Sequence, residues 1–171
     1  MNIAEIIKND VANGPGIRLS IFVSGCTHNC EGCFNKEAQD FQYGRPYDEN
    51  IQNEILKELS KSQYSGVSLL GGEPMHPDNQ KTVLSIIQTI KNKQPDKTIW
   101  LYSGYLYEDL KKQPTANQIL SNIDVLVDGP FILSQKKLGL AYRGSSNQRL
   151  IDMKATNAKN EVILWQTNIT L

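Results

Sequence analysis

At 171 residues the chain is long enough to bury a core of its own and short enough to form one domain, so a single domain over residues 1–171 is expected. Eighteen basic and eighteen acidic residues cancel, which removes the electrostatic footprint of a nucleic-acid or membrane-surface binder. No apolar run approaches the roughly 18–20 residues that cross a bilayer. The opening MNIAEIIKNDVANG carries Glu5 and Asp10 and no small-residue cleavage site, so it is not expected to be a signal peptide.

In chain order, Asn13-Gly14-Pro15-Gly16 reads as a turn. Ile17 to Val23, IRLSIFV, predicts a strand too apolar to leave one face in water, and it runs directly into Ser24 to Asn35, SGCTHNCEGCFN. Asp48 to Ser62 predicts a helix with Ile51, Ile55, Leu56 and Leu59 on one face and Asp48 as N-cap. Gly66 to Leu70 predicts a short buried strand that ends in Gly71-Gly72-Glu73-Pro74. Pro77 opens a helix through about Lys91, with Val83, Leu84, Ile86, Ile87 and Ile90 inward and His76 before it as N-cap or surface residue. Thr98 to Tyr102 predicts a strand, followed by Ser103-Gly104-Tyr105, a short helix over Leu106 to Lys112 and a helical turn or two over Ala116 to Ser121. Ile123 to Val127 predicts a fourth strand ending at Asp128-Gly129-Pro130, with further candidate strands at Arg149 to Met153 and Glu161 to Trp165. Strands alternating with helices imply right-handed crossovers and a mostly parallel sheet. The loops after its strands gather on one rim, where such sheets bind ligands.

Cys26, Cys30 and Cys33 are the only three cysteines, and an odd cluster cannot pair off into internal disulfides. Spacings of four and three residues let a short loop wrap one metal centre, with Gly25 and Gly32 permitting the tight backbone. Soft thiolates select zinc, copper(I) or iron–sulfur clusters. A closed structural site takes four ligands, whereas a site that does chemistry leaves one position open. The three cysteines fit an iron–sulfur cluster with such a vacancy; a zinc site completed by His28 or His76 is the alternative. Free clustered thiols without an export signal point to the reducing cytoplasm. Arg18, on the first predicted strand, is expected to pair with an acid structurally rather than with a ligand. Ser103 to Tyr105 and Asp128 are either ligand contacts or ordinary turns.

The CxxxCxxC loop after the first predicted strand resembles that of the radical S-adenosylmethionine superfamily, and Gly71-Gly72-Glu73-Pro74 resembles its GGEP motif. The resemblance implies an α/β fold, an open partial (βα) barrel with a mostly parallel sheet. It implies that Cys26, Cys30 and Cys33 hold a 4Fe–4S cluster whose free iron chelates S-adenosylmethionine. Gly72 and Glu73 would then cradle the methionine end, with Glu73 giving negative charge or order beside the ammonium. Many members carry an aromatic just before the last cysteine, where this chain has Gly32; Gly32, Cys33 and Phe34 are therefore assigned to the adenine edge. NGPGIRLSIFVSGC, CFNKE, GGEPMHP, IWLYSGY, VLVDGPF and RGSSNQR further resemble, in order, the activating proteins of anaerobic (class III) ribonucleoside-triphosphate reductase, over roughly residues 10–152. That family implies reductive cleavage of S-adenosylmethionine to methionine and a 5′-deoxyadenosyl radical, which takes a hydrogen from a glycine of the reductase. It implies the reductase and a small electron donor such as a flavodoxin as partners, with neither nucleic acid nor membrane. No general acid or base is needed, and none is expected beyond the cluster. Arg143 to Arg149 is placed near the reductase contact.

Overall fold

A computed structural model describes residues 1–166. Its centre is a seven-stranded sheet, ordered β3-β1-β2-β4-β5-β6-β7. The strands are β1 (Asn2–Asp10), β2 (Ile17–Val23), β3 (Arg45–Pro46), β4 (Tyr64–Gly71), β5 (Thr98–Tyr102), β6 (Val125–Asp128) and β7 (Arg149–Asp152). The inner four, β2, β4, β5 and β6, run parallel, as expected of strands joined through helices. The flanks are antiparallel: β1 on β2, β3 on β1, and β7 on β6.

The helices are α1 (Glu49–Leu59), α2 (Pro77–Lys93), α3 (Tyr107–Leu110), α4 (Pro114–Leu120) and α5 (Met153–Lys159). Asp48 caps α1 by accepting the Ile51 N–H at 2.9 Å, as its position predicts. His76 is the N-cap of α2, its Nδ1 accepting the Asp78 N–H at 3.3 Å. Side-chain alternation sorts the two faces of the sheet. Leu19, Ile21, Val67, Leu69, Ile99, Leu101 and Leu126 pack with Ile55, Leu59, Val83, Ile87 and Ile119 of the helices in one core. The opposite face carries the intervening residues Arg18, Ser20, Ser68, Trp100 and Tyr102. There Trp100, Val125, Val127 and Leu150 form a smaller cluster with Tyr102, Tyr142 and Trp165 against it.

β1 is the element that sequence patterning misses. Ile3, Ile6 and Ile7 do not alternate cleanly, because the pairing with β2 slips between Ile3 and Glu5 and again between Ile7 and Asp10. The predicted strand at Glu161 to Trp165 is reduced to one bridge, Leu164 to Ile151, and Met153, placed at the end of a strand, instead opens α5. Arg18 is fully buried but is not ion-paired among the described residues; this corrects the expected acid partner. Its guanidinium donates to Ser68 Oγ (2.7 Å), Val67 O (2.7 Å) and Thr98 O (3.1 Å) and lies 5.5 Å over the Trp100 ring. Burial brings its pKa down to about 10.

Candidate functional site

The carboxyl ends of β2, β4, β5 and β6 open onto one cavity of about 400 Å³. Cys26, Cys30 and Cys33 line it from the loop after β2, Gly72 and Glu73 from the loop after β4, Ser103 and Gly104 from the loop after β5, and Gly129 from the loop after β6. The rim expected from strand order therefore exists, and the three cysteines, Gly72 and Glu73 lie on it, whereas His76 and Asp128 do not. Gly32 and Phe34 are on the same wall.

The first two loops meet because β2 and β4 are parallel neighbours, ending level at Val23 opposite Gly71. Main-chain pairing continues past the strands: the Gly72 N–H donates to Val23 O at 2.7 Å and the Glu73 N–H to Gly25 O at 2.9 Å. On its other side the cysteine loop is held by the Gly25 N–H to Ala38 O (2.8 Å) and the Cys26 N–H to Gln39 O (3.1 Å). Gly25 and Gly32 take φ of 96° and 70°, the left-handed conformations that sequence spacing assigns to them. The three thiols are half-buried and share a cavity wall. Among the described residues no three His, Cys, Asp or Glu side chains are gathered around a single point. Burial pushes the Cys26 thiol up, with Glu73, Cys30 and Cys33 adding to the shift against a bond from the His28 backbone.

Glu73 is the hub of the rim, and only 1 % of it is exposed. One carboxylate oxygen, Oε1, accepts the Met75 N–H (2.8 Å) and the Ser103 hydroxyl (2.9 Å). The other, Oε2, accepts the Gly104 N–H at 2.7 Å and meets His28 Nε2 at 2.8 Å. Both oxygens are thus committed to tying the loops after β2, β4 and β5 together. These four contacts are of the ordering kind, one of the two roles, charge or order, that the motif allows. His28, the alternative fourth ligand, spends Nε2 on that carboxylate and packs its ring 4.4 Å from Tyr105. His76 is the cap of α2 and lies 4.8 Å from the Phe41 ring.

Phe34 is 82 % exposed, so it is no core aromatic; its ring stands edge-on to Phe22 at 6.4 Å. Asp128 is fully buried and accepts from the Tyr107 N–H (2.8 Å) and from Arg149 Nε (2.9 Å), an ordinary structural corner rather than a cavity wall. Arg149 also clasps Glu108, and the two carboxylates raise its pKa further. Residues 143–148 fold back over the rim. Gln148 Oε1 accepts the Gly144 and Ser145 N–H groups, its amide donates to Gly129 O at 3.0 Å, and Asn147 donates to Pro130 O at 2.8 Å. Arg143, Gly144 and Gln148 line the cavity, so this segment is part of the site wall as well as surface.

Sequence reasoning missed Asn13, Tyr102 and Tyr142 on the inner wall, and Asn79 behind it. Tyr102 and Tyr142 read as strand and loop aromatics, and only the alternation of β5 could have turned Tyr102 inward.

The family model of a 4Fe–4S single cluster domain matches residues 12–151. The chain is 41% identical to the anaerobic ribonucleoside-triphosphate reductase-activating protein of Pasteurella multocida, over 86% of this chain and 95% of that protein. It is 43% identical to the protein of that name from Vibrio cholerae (86% and 96% covered) and 40% to that of Enterobacteria phage T4 (88% and 93%). No solved structure matches it. With these identities over nearly the full length of the relatives, and with the three cysteines and the glycine–glutamate turn on one rim, the chain belongs to the family of anaerobic ribonucleoside-triphosphate reductase-activating proteins.

Proposed function

We propose that this chain is a radical S-adenosylmethionine enzyme that installs a glycyl radical on anaerobic ribonucleoside-triphosphate reductase. The observation that carries the reading is the shared cavity: three thiols and the Gly72–Glu73 turn face one space of about 400 Å³, within the range of small-molecule sites. The donor set fits a 4Fe–4S cluster, being three soft ligands with the nearby carboxylate already saturated and the loop histidine bonded to it. Cys26, Cys30 and Cys33 would hold the cluster. When bound and reduced by a donor such as a flavodoxin, the cluster would supply the one electron for cleavage of S-adenosylmethionine to methionine and the 5′-deoxyadenosyl group that would take a hydrogen atom from a reductase glycine.

The chain's own residues bind and shield. Gly72 and the backbone of Glu73 border the methionine end, and the main chain of Gly32 to Phe34 borders the adenine, with exposed Phe34 free to close on it. Leu70, Tyr102 and Phe131 line the wall and keep water from the reacting atoms. The open side, bordered by residues 143–149, admits the reductase segment. No side chain has to move a proton, which suits a cavity whose one carboxylate is fully hydrogen-bonded. The same reading makes residues 1–171 one domain, its sheet an open partial (βα) barrel, and its location the cytoplasm.

Anaerobic preparation followed by iron and sulfide analysis should give about four of each per chain, lost in Cys30→Ala. With S-adenosylmethionine, reductant and the reductase, electron paramagnetic resonance should show a glycyl radical. One zinc with no sulfide, or a loaded protein that yields no radical, would overturn the proposal.

A further inference from the structure

Behind the rim, in the first turn of α2, Asn79 is 1 % exposed. The two hydrogens of its side-chain NH2 serve three main-chain carbonyls, Ser24 O at 3.0 Å and Glu73 O at 3.0 Å with Gly25 O at 3.3 Å as a shared, longer contact. All three partners are acceptors, which fixes the orientation of the amide, since its oxygen turned this way would face three other oxygens. Two acceptors belong to the start of the cysteine loop and one to the Gly72–Glu73 turn. The side chain is itself held in place, because the Asn79 N–H donates to His76 O at 2.8 Å and Pro77 fixes the preceding backbone. Next to it, Gln80 donates to Met75 O at 2.8 Å, so the helix grips the far end of the same turn.

We infer that Asn79 is a positioning residue for the reaction, setting the distance between the loop that holds the cluster and the turn that holds S-adenosylmethionine. The inference deepens the proposed function and rests on it. The electron passes from a group on the first loop to a molecule on the second, so the relative placement of the two loops is the variable that matters. Strand pairing aligns them only as far as Val23 and Gly71; past those residues the Gly72 N–H to Val23 O and Glu73 N–H to Gly25 O bonds, the contact of His28 with the Glu73 carboxylate and the Asn79 amide carry the alignment. A single amide in contact with both loops holds them in one register. Supporting residues of this kind are typically worth about 10–100-fold in affinity or activity when removed.

The test compares Asn79→Ala and Asn79→Asp with Ile87→Val, which loosens the core face of α2 without touching either loop. Each anaerobically loaded protein is titrated with S-adenosylmethionine, read by the change in the reduced cluster's electron paramagnetic resonance. Both Asn79 variants should bind about 10–100-fold more weakly, with iron content kept, while Ile87→Val binds as the parent does. In the cluster-free chain, amide exchange at Gly25 and Glu73 should quicken by about tenfold relative to Ile21 and Leu69 in the Asn79 variants only. Parental affinity together with parental exchange would overturn the inference, as would an equal loss of affinity in Ile87→Val. A parent that binds no S-adenosylmethionine would instead sink the proposed function, and the exchange measurement would still decide the role of Asn79. Should the buried charge of Asn79→Asp prevent folding, Asn79→Ala carries both measurements.

Discussion

Replacing Glu73 by glutamine separates the two roles open to that carboxylate. In the structure each oxygen accepts from one backbone N–H and faces one adaptable side chain: Met75 and Ser103 on Oε1, Gly104 and His28 on Oε2. The new NH2 group must occupy one of these two positions. The Ser103 hydroxyl can rotate, or the His28 ring can change tautomer, to accept from it. The Met75 or Gly104 N–H cannot adapt, so one backbone donor is left facing another donor. Losing one charge-assisted bond, and stranding a donor, costs about 2–4 kcal/mol, with the remaining bonds weakened as well. Against a domain stability of roughly 5–15 kcal/mol, this is a large shift in the urea midpoint. Urea unfolding of the cluster-free chain, followed by far-ultraviolet circular dichroism, measures it directly. A change below about 0.5 kcal/mol would refute the argument that this carboxylate organises the loops. If stability stayed intact while S-adenosylmethionine binding collapsed, Glu73 would act as a free negative charge instead.

Other perturbations follow from the same contacts. A methyl group on Gly72 would sit 2.6 Å from Ala38 O and 2.9 Å from Gly25 O, so Gly72→Ala should push the two loops apart and abolish S-adenosylmethionine binding, read by titration of the loaded protein. Arg18→Met strands the Val67 and Thr98 carbonyls and should cost about 2–5 kcal/mol in thermal or urea unfolding; a neutral result would show that the guanidinium merely fills space. Asn147→Ala, on the outer border of the site, should raise the half-saturating reductase concentration by about tenfold while S-adenosylmethionine affinity stays put, and no change would remove residues 143–149 from the contact. In pH titration of the cluster-free chain, Asp124 resists the burial that would raise its pKa, because Lys154, the Ile99 N–H and Lys91 hold it below its ordinary value; Arg149 does the same for Glu108. The unfolded state then binds more protons, so their stabilisation is complete above about pH 4–5 and is lost as the pH falls through the lower folded values. At the alkaline end the raised Cys26 thiol has the opposite sense, and stability falls as the pH climbs past about 8.5. A melting temperature flat across both limbs would contradict these assignments.

The inner strands and the helices α1 and α2 were legible because each has one dominant cause. β2 is a mostly apolar run buried on both faces, and α1 shows helical spacing after a capping aspartate. Once strands alternate with helices, their parallel pairing and the common rim follow, which is why the cysteines, Gly72, Glu73 and Phe34 could be placed together in advance. The flanks were not legible. β1 breaks its own alternation where its register slips, and β3 is two residues long, held by pairing with Asn2 and Ile3 rather than by its own sequence. Arg18 could be recognised as structural, but its partners are main-chain carbonyls and hydroxyls of strands far along the chain, which no local pattern announces. Asn79 escaped for a similar reason: an asparagine in the first turn of a helix looks like surface until the loops that bury it are in place.

Those two residues explain how one sheet keeps a packed core on one face and an open cavity on the other. Toward the helices the middle of β2 and β4 presents Leu19, Ile21, Val67 and Leu69, all completely buried. A second layer of the same kind on the other face would fill the cavity, and polar side chains there need partners. Arg18 supplies them at the base of the sheet: it bonds Ser68 Oγ, whose hydroxyl donates to Asn13 O at 2.5 Å, and it donates to the carbonyls of Val67 in β4 and Thr98 in β5. Tyr102, higher on the same face, reaches the cavity with its hydroxyl buried and without a partner among the described residues, and burial drives its pKa upward. At the top the load passes from side chains to main chain, where Glu73 and Asn79 hold the loops. A polar layer satisfied from below and a rim tied from behind leave the space between them free for a ligand. The Tyr102 hydroxyl is then, with Arg143 Nε, a buried donor on the cavity wall that stands to gain from one, and Tyr102→Phe should weaken S-adenosylmethionine or reductase binding without lowering the stability of the empty chain.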